Sequence, residues 1–216
     1  MIQKENAAMN DRKTVALTFD DGPDPEITPQ VLDLLDKYNA KASFFLIGEH
    51  IKPETEALIH REHDSGHEID CHSLTHQDMT KFTAEQIIAE TEETTRRIVS
   101  VIGEEPRFFR PPFILYNEDM FENIPYPFIC GVGCNDWIID YPAEKRAEEM
   151  LAAAADGTML LLHDMKGNHR TVEALKTVMP ELVKQGYEFV TLTELFDIHG
   201  IKPRLDKKTV YSHVFD

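Results

Sequence analysis

Short apolar runs alternate with amphipathic stretches along nearly the whole chain. Residues 15–19 form a β-prone run that stops at Asp20-Asp21 and a Gly22-Pro23 turn signal. That is the pattern of a buried strand delivering charge at its C-terminal end. Comparable runs recur at 42–47, 68–71, 108–109, 128–131, 159–162 and 188–191. Between them the spacing predicts helices over 29–38 (with Thr28 as N-cap), 54–64, 83–101 (opened by Thr83, with Gly103 just past its end), 118–122, 143–155, 171–184 and 193–198. The last dozen residues are polar, lack a clear period and carry no predicted element.

Seven β-then-α units imply an α/β domain with a parallel sheet, because parallel strands need helical crossovers. Periodicity does not separate an open doubly wound sheet from a closed barrel. In either, an active site lies at the C-terminal ends of the strands. Asp20-Asp21, His72, Arg110, Asp136 and His163 all fall just after predicted strands.

Two neighbouring aspartates repel each other, and burying both as anions is unfavourable unless a cation compensates. A solvated Asp-Asp-Gly turn is the bland alternative. Strand geometry sends adjacent side chains to opposite faces, so one carboxylate is expected to ligate and the other to take a proton. Which does which stays open. His72 and His76 stand at i and i+4, and one helical turn would bring them to the same face, about 6 Å apart. Two histidines and one aspartate leave coordination positions for water, the arrangement of a catalytic metal site.

His163, ending an apolar run beside Asp164, is suited to be held protonated. The alternative is a capped core histidine. Arg110, between two phenylalanines and Pro111-Pro112, is placed to pair with a buried carboxylate. Asp136 can orient His163, and Trp137 is either a stacking surface for a sugar or a core aromatic. His60, His63 and His67 read as surface or packing residues.

Composition narrows the partners. The chain has 216 residues, 42% apolar and 28% charged, enough for one domain with a full core. With 22 basic and 39 acidic residues the net charge is −17, which argues against nucleic acid and anionic membranes. No apolar run approaches the roughly 18 residues of a membrane span. The first 13 residues are polar and lack a signal-peptide stretch; a cytoplasmic protein and an excised domain of a secreted one both fit. Three cysteines without framework spacing read as free thiols, with Cys71 as packed core.

Thr18-Phe19-Asp20-Asp21-Gly22-Pro23, His72-Ser73-Leu74-Thr75-His76, Arg110-Pro111-Pro112-Phe113, Asp136-Trp137 and Leu161-Leu162-His163-Asp164 resemble, in order, the five motifs of the polysaccharide deacetylases, carbohydrate esterase family 4. The likeness runs from about Thr14 to Phe196. It implies a single-domain distorted (β/α)7 barrel over 14–200, with tails at 1–13 and 201–216, the latter packing on the barrel or trailing from it. The implied activity is metal-dependent removal of acetyl groups from an acetylated carbohydrate of the xylan, chitin or peptidoglycan type. A silent carbohydrate-binding module and an amidase acting on a small non-sugar amide are the alternatives.

The resemblance further implies that Asp21, His72 and His76 hold one divalent ion, zinc or cobalt first, then nickel or manganese. By the same likeness Asp20 is the base tuned by Arg110, and His163 is the acid supported by Asp136. Leu161 and Trp137 line the acetyl pocket, and the Phe113 N–H serves the oxyanion. Two departures stand out. Ile114 replaces a usual glycine, and Asp70-Cys71 replaces a usual Gly-Asn. Residues 129–137 are similar to the clostridial acetylxylan esterase branch.

Overall fold

The structure, a computed structural model, describes residues 13–206 and 208–216. Apart from Lys13, the expected N-terminal tail lies outside the described residues. Six strands make one sheet: β1 (Lys13–Asp20), β2 (Ala42–Leu46), β3 (Glu68–Cys71), β5 (Val132–Gly133), β6 (Thr158–His163) and β7 (Tyr187–Phe189). Its order is β3-β2-β1-β6-β5, and β7 adds beside the start of β1. All of these pairings are parallel. Among the described residues seven α-helices accompany the strands: α1 (Thr28–Lys37), α2 (Glu56–Asp64), α3 (Ala84–Ile102), α4 (Glu118–Asn123), α5 (Ala143–Ala153), α6 (His169–Lys184) and α7 (Leu192–Ile198). None is long and apolar enough to cross a membrane.

Side-chain alternation builds the barrel. Val15, Leu17 and Phe19 of β1 point outward into one core with Val31, Leu35, Leu160, Leu162 and Leu175, where the helices cover the sheet. Ala16 points inward to a second core with Phe45, Met159, Phe196 and Tyr211. Thr18 and Asp20 continue that inward face and are both buried. With both faces covered, the strands read as nearly continuous apolar runs, which is why periodicity alone left open sheet and barrel unresolved.

The far wall is where the architecture departs from regular strands. The predicted strand at 108–109 is a single bridging residue, Phe109, paired with Cys71 on one side and Phe128 on the other. Of the predicted strand at 128–131 only Phe128–Ile129 forms one, β4; the chain breaks at Gly131, where φ is 99°, and resumes just beyond as β5. The last dozen residues contribute β8 (Val210–Tyr211), parallel to β4, with Tyr211 and Val214 buried in the second core. Two apolar residues among polar neighbours are too short a run for periodicity to register. The result is a single-domain distorted barrel.

Asp70 fastens this wall. Its buried Oδ1 accepts hydrogen bonds from the Arg107 and Phe108 amides at 3.0 and 2.9 Å. Burial, with Glu68 nearby, pushes its carboxyl well above the usual carboxylate range, against the two amides that favour the anion. Asp70→Ala leaves both amides unpaired and should destabilise the fold by about 1–3 kcal/mol per amide, whereas Asp70→Asn, which keeps the acceptor, should lose far less. Urea unfolding of the two variants side by side checks the contrast.

Candidate active site

Parallel register gathers the polar ends. Asp20 pairs directly with His163 across β1 and β6, and the His72 amide caps β2 by donating to the Leu46 carbonyl at 3.0 Å. These residues meet at the floor of a cavity of about 610 Å³, lined by Asp20, Asp21, His72, His76, Phe113, Trp137, Leu161 and His163 among others.

Asp20 is buried and its Oδ1 receives the Arg110 guanidinium at 2.5 Å. Arg110 is itself fully buried, donates to Thr18 Oγ1 at 2.9 Å and lies 4.1 Å over the Phe45 ring. Burial alone would raise the Asp20 pKa; Arg110, with His72 and His163 behind it, more than offsets this and holds the carboxyl below its ordinary value. Oδ2 is left toward the cavity, 3.8 Å from His72 Nε2.

The two aspartates do not diverge as adjacent strand residues would. The strand ends at Asp20, and Asp21 turns into the left-handed region (φ 71°), which brings both carboxylates near one histidine. Asp21 Oδ1 lies 3.5 Å from His72 Nε2 and 3.3 Å from His76 Nε2. Ligand atoms of Asp21, His72 and His76 all fall within 4.8 Å of one another. A Cβ at Gly22 would stand 2.6 Å from the Asp164 carboxylate oxygens, so any larger residue there would have to displace that buried side chain.

The histidine pair is not on a helix, contrary to the i, i+4 expectation. Ser73 (φ 62°) and His76 (φ 54°) fold the segment into a loop that still brings the two rings to 4.9 Å between centroids. Glu90 of α3, buried, shapes that loop. Its Oε2 accepts from the Leu74 and Thr75 amides at 2.9 Å each, and its Oε1 accepts from the Thr75 hydroxyl at 2.8 Å. His72 Nδ1 donates to the Arg110 carbonyl at 2.7 Å, which turns Nε2 toward Asp21 as the ring atom available to ligate. Burial, with His72 beside it, lowers the His76 pKa and favours the lone pair there too.

His163 Nδ1 donates to Asp136 Oδ1 at 2.8 Å, and the His163 amide donates to Asp136 Oδ2 at 2.7 Å. Burial opposes a charged ring, but the Asp136 hydrogen bond and the surrounding carboxylates lift its pKa to about 9. Trp137 is half exposed, stands edge-on to His163, and lies against the bare face of Gly133. Phe113 covers His76 edge-on at 4.6 Å. Phe113 and Ile114 both have positive φ (58° and 55°), so Ile114 takes a backbone conformation in which glycine is the unstrained choice.

The structure therefore brings all ten sequence-selected residues to one cavity or its immediate support. The sequence did not single out Glu90, His50, whose Nδ1 donates to the Asp21 carbonyl at 2.8 Å, or Arg146, fully buried on α5. Glu90 and Arg146 left a readable signal: each is a charged residue on the buried stripe of its helix.

The polysaccharide deacetylase family model matches residues 7–125. The chain is 45% identical over 203 residues to a bifunctional xylanase/deacetylase of Pseudobutyrivibrio xylanivorans, covering 94% of this chain and 33% of that protein. It thus spans about a third of that relative's length. The Xyl-CE4 domain of a multidomain xylanase from the hindgut metagenome of Trinervitermes trinervoides superposes with a TM-score of 0.92 at 42% identity, covering 95% of this chain and 99% of that one. A family 4 acetyl xylan esterase from Clostridium thermocellum, in complex with a cobalt ion, gives 0.91 at 43% identity, with 94% and 99% covered. A family match over more than half of the sequence, with identities above 40% along nearly all of it, shows that this chain belongs to the polysaccharide deacetylases, carbohydrate esterase family 4.

Proposed function

We propose that this domain hydrolyses acetyl groups from a polysaccharide or oligosaccharide, with acetylated xylan as the first substrate to test. The observation that carries this is the cluster of Asp21, His72 and His76 set between an arginine-held carboxylate and a carboxylate-held histidine. The names of the relatives, a xylanase/deacetylase and an acetyl xylan esterase, support the choice of substrate.

The donor set fits a divalent ion. Asp21 Oδ1 is buried without a hydrogen-bond partner, and it faces two imidazole nitrogens presented as lone pairs. Asp21, His72 and His76 are the residues we assign to hold it; zinc or cobalt suits a mixed nitrogen and oxygen site. Such an ion lowers the pKa of a bound water from about 15.7 towards about 7 and polarises the acetyl carbonyl.

The protein's own groups move the protons. Asp20 takes the proton of the attacking water at Oδ2, the oxygen that Arg110 leaves free. Phe113, in the cavity wall, supplies its backbone N–H to the developing oxyanion. His163, held by Asp136, gives its Nε2 proton to the departing sugar oxygen or nitrogen as the bond to the acetyl carbon breaks. Leu161 and Trp137 enclose the acetyl methyl. A second cavity of about 450 Å³, lined by Pro23, His50, Lys52 and Lys166, shares Asp21 and His76 with the first, which leaves room for a neighbouring sugar.

Acetate release from acetylated xylan should be abolished by a chelator and restored by added zinc or cobalt; release that survives the chelator would overturn the proposal. Asp20→Asn and His163→Ala should each lower kcat by about 10²–10⁴ with the ion still bound. His72→Ala should instead empty the site, as elemental analysis would read, and Glu90→Ala should weaken ion affinity by about 10–100-fold by freeing the loop. Because His163 must carry its proton, kcat should fall as pH rises through about 9. Asp136→Asn removes the charge that lifts that pKa and should move the alkaline limb of the profile to lower pH.

A further inference from the structure

Arg146 takes no part in the chemistry above, although its side chain is fully buried. A buried guanidinium is costly unless its donors are satisfied, and here five acceptors meet it. Nη1 donates to Asn168 Oδ1 and to Thr171 Oγ1, the latter at 2.8 Å. Nη2 donates to the Ile138 and Ile139 carbonyls at 2.7 and 3.1 Å, and Nε donates to the Tyr141 carbonyl at 3.0 Å.

Guanidinium can only donate, and that fixes the direction of every proton around it. Thr171 must accept from Arg146, so its single hydroxyl proton is free to go to Asp136 Oδ2, 3.0 Å away. Asn168 must accept at Oδ1, so its amide nitrogen donates to the His163 carbonyl at 2.8 Å and lies 3.5 Å from Asp136 Oδ2. Asp136 is thereby kept as a pure acceptor for His163 Nδ1–H. The other three bonds hold the residues that follow Trp137 against α5.

We propose that Arg146 is a positioning residue with two separable outputs: through Thr171 and Asn168 it orients the Asp136–His163 pair, and through the Ile138, Ile139 and Tyr141 carbonyls it fixes the Trp137 segment of the substrate cavity. The first output rests on the function proposed above for His163. The second does not.

Thr171→Val keeps the side-chain shape, removes the donor to Asp136 and one Nη1 acceptor of Arg146, and leaves the bonds to Asn168 and to the Ile138, Ile139 and Tyr141 carbonyls in place. It should lower kcat about 10–100-fold with KM, zinc affinity and tryptophan emission unchanged. Arg146→Lys cannot span both sets of acceptors. It should lower kcat similarly, raise KM for acetylated xylo-oligosaccharide, and shift the emission of Trp137, the chain's only tryptophan. Wild-type kcat in Thr171→Val, or unchanged emission and KM in folded Arg146→Lys, would overturn the corresponding output. If Arg146→Lys does not fold, Ile138→Pro or Tyr141→Pro is no substitute, because each alters the backbone itself; Arg146→Gln, which keeps part of the donor set, then takes its place with the same readouts. Should the wild-type domain release no acetate from any acetylated saccharide, the proposed function falls. The proton resonance of His163 Nδ1–H then decides the first output: its loss in Thr171→Val supports it, and its persistence unchanged overturns it.

Discussion

Where β1 ends, a carboxylate and a guanidinium meet at 2.5 Å, both buried. Neither would be stable alone in that place. Desolvation of a lone charge outweighs what any single neighbour returns, and a buried pair persists only when its remaining donors and acceptors are also met. Here they are: Thr18 takes a second guanidinium nitrogen, the Ile129 carbonyl lies 3.3 Å from Nε, and Phe45 covers the planar face. Arg110 also presents its own carbonyl to His72. One residue therefore fixes the ionisation of the base and the tautomer of a neighbouring imidazole, and strands from opposite walls of the barrel are tied through it.

Strain gathers around that pair. Asp21, Ser73, His76, Phe113, Ile114 and Asn135 are six of the eight non-glycine residues with positive φ among the described residues. Each lies in, or next to, a segment that reaches the cavity. Left-handed backbone at non-glycine positions is unfavourable and survives only where surrounding contacts dictate it. Glu90 on the histidine loop, His50 on the Asp21 carbonyl and Arg146 behind the Trp137 segment are such contacts. The barrel and its helices thus hold loops in shapes that the loops would not adopt alone.

Three buried aspartates in this domain illustrate how environment assigns roles. Asp20 meets a cation and its pKa is held down; Asp70 meets an acidic neighbour in a dry pocket and its pKa is pushed up; Asp136 meets an imidazole, a hydroxyl and amides and acts as an acceptor. Chemical identity is the same in all three. The partners differ because Asp20 ends β1, Asp70 lies within β3 and Asp136 lies in the loop after β5, so each meets a different part of the wall.

The alternation of apolar runs and helical stripes was enough to place all seven helices and most strands, because burial on both faces of a parallel sheet leaves a strong local signature. The motif residues were equally legible, since reactive side chains at strand ends interrupt apolar runs abruptly. β8 and the break at Gly131 were not, as two-residue strands are created by their partners and leave no period in the chain; the strand expected at 108–109 was placed correctly but shrinks to one bridging residue, Phe109. The helical turn expected between His72 and His76 was wrong for a related reason: spacing says how far apart two residues are along the chain, while Glu90, far along the sequence, decides the loop between them. What the sequence determined by itself was the set of chemical groups and the α/β alternation. Which aspartate faces the arginine, which carboxylate is pushed above its ordinary pKa and which buried cation braces the acid were decided only by tertiary structure, because each depends on contacts between segments that are remote in the chain.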